Sequence, residues 1–174
     1  MKTFKEFFIL TESKVEDTFC YMIYAQKPYS DYLRNIQKEL KLKGEWIEKT
    51  KFHNTIRYVK TKMSPKPLMD YLSDVDLPTL SGITKNFQIF GEDKCLVMEL
   101  ISREIHDWFK QVNKFMIDCG YPDSDYPKYR PHITLSEGVE EKPKFNPQKH
   151  KLKIDFTKHV VTDKNYDVIF ERII

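Results

Sequence analysis

Two ten-residue stretches, "KFHNTIRYVK" at Lys51–Lys60 and "YRPHITLSEG" at Tyr129–Gly138, constrain this chain more than anything else in it. Each carries an aromatic and a basic residue leading into a His-x-Thr, and each reads as a β-strand. Each also closes the same series of elements: an apolar strand, an amphipathic helix, then the His-x-Thr strand. A series that recurs once over such a distance is no solenoid repeat. It is the mark of a duplicated unit, and it predicts an α+β fold of two similar lobes. Their antiparallel sheets should face each other across a central cleft, with the helices outside.

The elements follow from local chemistry. "TFCYMIYAQ" (Thr18–Gln26) is rich in aromatic and apolar residues and reads as a strand. Ser30 and Asp31 offer an N-cap for "YLRNIQKELKLKG", where Leu33, Ile36 and Leu40 recur at helical spacing and Gly44 follows as a stop. After the first motif strand come Pro65, Pro67 and Pro78, with room for a short helix near Leu68–Leu72. "ITKNFQIFGE" and "KCLVMELIS" then form a hairpin around Gly91–Lys94. "SREIHDWFKQVNKFMIDCG" sets Ile105, Trp108, Phe109, Val112, Phe115 and Met116 on one helical face. "HKLKIDFTKHVV" and "YDVIFERI" read as final strands. Residues 13–174 are expected to form a single domain.

Composition narrows the function classes. At 174 residues, with 40% hydrophobic and 14% aromatic residues, the chain can bury a full core. No apolar run reaches the ~18 residues that a membrane span needs. The 29 basic and 26 acidic side chains leave a net charge of +3, too balanced for a long nucleic-acid partner. Cys20, Cys95 and Cys119 are odd in number and widely spaced, which favours reduced thiols over a disulfide framework or a zinc site. His106, His150 and His159 lack the motif context and are expected to be solvated.

Strand alternation puts His53 and Thr55 on one face, and likewise His132, Thr134 and Ser136. By the same parity Arg57 joins His53 and Tyr58 turns into the core. Two lobes would bring these faces together, and two imidazoles flanking a phosphodiester form a chemically complete device. One takes a proton, the other gives one, and the Thr hydroxyls donate to the phosphate oxygens. No cofactor is called for, and no His/Glu spacing or acidic cluster is present to hold a metal. Tyr21, Tyr24 and Tyr166 are the candidate platforms for flat bases, with Arg57 and Arg130 as candidate phosphate cations and Ser136 as a further polar contact.

The motifs "HNTIRY" and "PHITLS" resemble those of the two-histidine (2H) phosphoesterases, over most of the chain from about Thr18 to its end. Within that superfamily, the first motif strand, "CLVMEL" and "DYPKYRPHITLS" are most similar to phage anti-CBASS cyclic-oligonucleotide phosphodiesterases. The resemblance implies catalysis by His53, Thr55, His132 and Thr134. It also implies a cyclic di- or trinucleotide messenger such as cyclic GMP–AMP as substrate, attacked by its own ribose 2′-OH. Which histidine is the acid stays open. The longer Pro-rich middle and the loosely matching tail depart from the pattern.

The first twelve residues, "MKTFKEFFILTE", resemble the capsid-targeting propeptides of large tailed bacteriophages, with Leu10-Thr11-Glu12 as the processing site; an amphipathic helix docked on the domain is the other reading. These resemblances imply a place in the cytoplasm of an infected bacterium, or packaged in a phage head, and a monomer acting away from membranes is expected. The rival readings are an RNA-end enzyme opening 2′,3′-cyclic phosphates or related to RNA ligases, a non-catalytic nucleotide-binding module, and a packaged structural head protein.

Overall fold

The computed structural model describes residues 17–41, 44–48, 51–124 and 128–174. The candidate targeting segment, residues 1–12, lies outside them. Eight strands and four helices are described: β1 (Asp17–Ala25), α1 (Lys27–Leu40), β2 (Glu45–Trp46), β3 (His53–Thr61), α2 (Lys66–Asp74), β4 (Leu80–Phe90), β5 (Cys95–Ile101), α3 (Arg103–Asp118), β6 (His132–Glu137), α4 (Pro147–His150), β7 (Lys153–Thr162) and β8 (Val168–Ile173).

All the strands belong to one antiparallel sheet in the order β2-β6-β5-β4-β7-β1-β3, with β8 on the free side of β7. The order is a palindrome of the duplicated unit. β3-β1-β7 on one side mirrors β6-β5-β4 on the other, and the halves join where Leu80–Ile83 pairs with Lys153–Phe156. The two expected sheets are therefore two wings of one sheet. The wings curl until β3 and β6, the strands that carry the two motifs, touch.

The core sits between the sheet and the helices. α1 contributes Leu33 and Ile36, α2 Leu68 and Leu72, and α3 Ile105, Trp108, Val112 and Met116, against Phe19, Tyr21, Ile23, Ile56, Phe87, Leu96 and Ile133 from the strands. Each such side chain contributes roughly 1.5–3 kcal/mol when fully buried, so the 3.6-residue apolar stripes of the helices fix which face each wing covers. α3 is capped as its sequence suggests, with Ser102 Oγ accepting from the Ile105 N–H at 2.9 Å. α1 departs from expectation. It starts at Lys27, with Pro28 in its first turn, and Ser30 is buried inside it, so Ser30 and Asp31 are not the cap. Its stop is Lys41 in the left-handed region (φ 47°). Gly44 serves instead for close approach, since a Cβ there would collide with the Glu137 carbonyl beside which β2 pairs with β6.

His150 and His159, expected to be solvated, are both buried. His150 ends α4, where its Nδ1 accepts from the Asn146 N–H at 3.0 Å, and His159 is on β7, an interior strand flanked by β1, β4 and β8. His159 Nε2 donates to the Pro78 carbonyl at 3.1 Å, so Nδ1 accepts from the Tyr21 hydroxyl at 2.6 Å, and Tyr21 accepts in turn from Trp108 Nε1 at 2.8 Å.

Candidate active site

The two motif strands are built alike in more than sequence. In β3, Thr55 stands opposite Met22 and Arg57 opposite Tyr21, so Ile56 is an extra residue without a partner. In β6, Thr134 stands opposite Val97 and Ser136 opposite Leu96, so Leu135 is extra in the same way. Each His-x-Thr is thus followed at once by a β-bulge, which turns two successive side chains to one face. Ile56 and Arg57 both point inward, as do Leu135 and Ser136, and all four are buried.

The bulge corrects three expectations. Arg57 leaves the His53 face; it is 2% exposed and donates from Nη2 to the Pro122 carbonyl at 2.6 Å. Ser136 is buried likewise, its Oγ donating to the Glu45 carbonyl at 2.9 Å. Tyr58, expected in the core, is carried outward onto the His53 face and is 38% exposed. Tyr21 is also no stacking platform. It is fully buried on the opposite face of β1, held by His159 and Trp108.

The remaining residues converge. His53 and His132 are half-buried on facing strands. His53 Nδ1 lies 2.6 Å from the Lys51 carbonyl and His132 Nδ1 lies 2.7 Å from the Arg130 carbonyl. A carbonyl only accepts, so both Nδ1 atoms carry hydrogen, and in the neutral rings both Nε2 atoms are lone-pair acceptors. Desolvation lowers the pKa of both rings. The Lys51 carbonyl opposes this at His53, and the charge of His132 adds to it. At His132 the Arg130 carbonyl and the Glu99 carboxylate oppose the desolvation, and the Arg130 guanidinium reinforces it.

The environments around the equal backbones differ. The residue directly opposite His53 is Tyr24, and the residue directly opposite His132 is Glu99. Tyr24 lies 5.4 Å from the His53 ring with the Lys158 ammonium 5.6 Å above its own ring. Glu99 binds Arg130, whose guanidinium lies 4.5 Å over Phe90, and Phe90 meets the His132 ring edge-on at 5.0 Å. Arg130 therefore stands beside the second histidine, as expected, but as half of an ion pair.

The Thr55 hydroxyl is hydrogen-bonded with Cys20, whose buried thiol is pushed up to about 12. Thr134 is half-buried on the His132 face of β6. Tyr166 projects from the β7–β8 turn at φ 63° and is 73% exposed, with its hydroxyl pushed up by desolvation and by Cys20, Tyr58 and Glu137.

Asn54, the middle residue of the first motif, escaped the sequence reading. Its Oδ1 accepts from the His132 backbone N–H at 2.8 Å and its Nδ2 donates to the Tyr129 hydroxyl at 2.7 Å. Tyr129 donates on to the Thr55 carbonyl at 3.0 Å and stacks on Phe109 at 4.1 Å. Burial pushes its phenol up, so it stays a neutral donor. A buried Asn where parity demands an apolar residue was the available signal. Phe90 and Glu99 gave none, since only the pairing of β5 with its neighbours brings them to the site. Among the described residues no group of three His, Cys, Asp or Glu side chains could hold a metal ion.

Comparison with known proteins bears on the family and the fold. A family model described as Anti-CBASS protein Acb1 matches residues 21–169. No curated protein matches the chain. Among solved structures, E. coli LigT complexed with 3′-AMP is similar with a TM-score of 0.68 at 11% identity, covering 91% of this chain and 98% of that one. TT0787 of Thermus thermophilus gives 0.67 at 13% identity, covering 90% and 97%. Kluyveromyces marxianus Usb1 gives 0.58 at 8% identity, covering 91% and 98%.

Proposed function

We propose a substrate and a division of labour for this chain, which belongs to the anti-CBASS protein Acb1 family and is a phosphoric diester hydrolase with a 2H phosphoesterase fold. It degrades CBASS signals. The proposed substrate is a cyclic di- or trinucleotide, cut at a 3′–5′ bond without a metal ion. The observation that carries the reading is the pair of half-buried imidazoles whose Nδ1–H groups are each tied to a backbone carbonyl, leaving two Nε2 atoms for the diester.

The unequal neighbours support a division of roles. Glu99 favours the charged form of His132, whereas His53 has no carboxylate opposite it and is further discouraged from ionising by His132. His53 is the general base and His132 the general acid. His53 Nε2 takes the proton of a ribose 2′-OH as its oxygen bonds to the adjacent phosphorus. The bond from phosphorus to the 5′-oxygen breaks, and His132 Nε2–H protonates that oxygen. The products of this step are a 2′,3′-cyclic phosphate end and a 5′-hydroxyl end. The hydroxyls of Thr55 and Thr134 donate to the non-bridging oxygens as charge gathers there. Tyr24, Phe90 and Tyr166 supply aromatic faces for the bases.

The setting is the cytoplasm of an infected bacterium, with residues 1–12 as a capsid-targeting segment and residues 13–174 as the enzyme, acting as a monomer. No helix among the described residues is long and apolar enough to cross a membrane. The test incubates the purified chain in EDTA with 3′,3′-cyclic GMP–AMP and, separately, with an RNA ending in a 2′,3′-cyclic phosphate. Linearisation of the ring with EDTA present is the expected result. Opening of the RNA end alone would move the function to RNA-end processing, and rescue of a dead reaction by a divalent ion would overturn the metal-free mechanism.

A further inference from the structure

An open groove of about 620 Å³ lies beside the histidine pair and is lined by neither imidazole. Its floor is the cleft face of β4 and β5, where Asn86 stands opposite Glu99. Its walls are the start of α3, with Arg103, and the Lys128–Pro131 segment that leads into the second motif. Because Glu99 is also directly opposite His132, groove and active site share one sheet face and meet at the Arg130–Glu99 ion pair.

Three features make this groove a receptor for an anion with a polar edge. Its charge is one-sided: Lys85, Arg103, Lys128 and Arg130 line it against the single carboxylate of Glu99. Arg103 leans on Asp107 at 3.4 Å and Arg130 is held by Glu99, whereas among the described residues Lys85 and Lys128 have no ion-pair partner. The floor also carries a bulge. Thr84 pairs with Leu100 and Asn86 with Glu99, so Lys85 is an extra residue, and bulges of this kind re-aim side chains beside functional sites. Finally, Asn86 lines the groove and its Oδ1, shielded from solvent, has no hydrogen-bond partner, so turning the amide toward a ligand N–H would break no existing bond to that oxygen.

A volume of this size is within the range of small-ligand pockets and suits one nucleotide. In a ring of two or three nucleotides, the scissile phosphate always brings a second phosphodiester and its base, one ribose away. The groove lies on the His132 side, where the 5′-oxygen departs. We infer that it is a second nucleotide subsite, taking the phosphate of the leaving-group nucleotide on Lys85 and Lys128 and the N–H edge of its base on Asn86. This rests on the phosphodiesterase reading above and adds to it a reason for preferring rings to single nucleotides.

The test compares the wild-type chain with Lys85→Glu/Lys128→Glu on 3′,3′-cyclic GMP–AMP and on the linear dinucleotide ApG, which offers the same 2′-OH and 3′–5′ bond but has no second phosphate to place. KM for the ring should rise ~10-fold or more with kcat within about threefold, while kcat/KM for the linear dinucleotide changes less than about threefold. Equilibrium binding of cyclic GMP–AMP to a His53→Ala background should weaken by a similar ~10-fold when the two charges are reversed. Equal losses on both substrates, or no loss of ring binding, overturn the subsite. A wild-type chain that neither binds nor cleaves the ring overturns the functional reading and the subsite together. A wild-type chain that cleaves it no better than the double variant overturns the subsite alone.

Discussion

Asn54 Oδ1 accepts a hydrogen bond from the His132 backbone N–H at 2.8 Å, so the middle residue of one motif holds the first residue of the other. The motif strands β3 and β6 are not paired in the sheet order, and this side chain joins them where the two histidines must work on one phosphorus atom. Proton transfer and in-line attack tolerate little misplacement, and a shift near 1 Å can cost on the order of 10²-fold. The amide is a positioning group, one residue removed from the chemistry.

Asn54→Leu should therefore lose turnover as well as stability. It leaves the His132 N–H without its acceptor and the Tyr129 hydroxyl without its donor, at about 1–3 kcal/mol for a buried group. Turnover should fall ~10–100-fold with little change in KM. The equivalent position in the second motif is Ile133, fully buried and apolar. Ile133→Val should lower stability by roughly 0.5–1.5 kcal/mol and leave turnover alone. Matched thermal melts and steady-state kinetics separate the two, and equal kinetic losses would reduce Asn54 to a packing residue.

The histidines should behave as one unit. His53→Ala and His132→Ala should each lower turnover at least ~10²–10⁴-fold, and the double variant should lose far less than the product of the two. Thr55→Val and Thr134→Val each remove a donor to the phosphate and should cost ~10–10³-fold. Ring binding should survive the histidine changes better than turnover does, because aromatic and cationic side chains hold the ligand. Near wild-type turnover in either histidine variant from pH 5 to 9 would end the two-histidine mechanism.

Much of this was legible beforehand because duplication is a redundant signal: the unit order, the two motifs and the helical stripes all required the same two-winged fold. What misled was alternation carried past Thr55 and Thr134. Period-two parity holds only along unbroken pairing, and neither "TIR" nor "TLS" contains a glycine or proline to announce a bulge. Arg57, Tyr58 and Ser136 were therefore placed on the wrong faces. Tyr21 is a different case. It stands three residues from Tyr24, so parity already put the two rings on opposite faces, and only one could meet the ligand.

The pH profile should report the unequal neighbours. Both imidazoles have pKa values held below 6.5 in the free protein. The acid limb of kcat/KM belongs to protonation of His53 and the alkaline limb to loss of the His132 proton, so the bell should centre on the acid side of neutrality. A bound diester favours both imidazolium forms, so the bell for kcat should be displaced to higher pH. Glu99→Gln removes a carboxylate that favours charged His132, and the alkaline limb should move to lower pH while the acid limb stays. Movement of the acid limb instead would exchange the two roles.

His159 gives a stability profile that is separable from catalysis. Burial lowers its pKa to about 4, the Pro78 carbonyl opposing and Arg172 adding to the effect. In the unfolded chain it protonates near 6.5. From pH 6.5 down to 4 the unfolded state therefore binds more protons than the native state, and stability falls as pH falls. The contribution is fully present above 6.5 and is lost as the pH approaches 4, for a total of about 3 kcal/mol. His53 and His132 are lowered as well and steepen the same slope. Urea unfolding at pH 7.5, 6 and 4.5 should show a midpoint that drops at each step, with the slope markedly shallower in His159→Gln. A midpoint constant across that range would mean that the Trp108–Tyr21–His159 chain accepts the proton without loss.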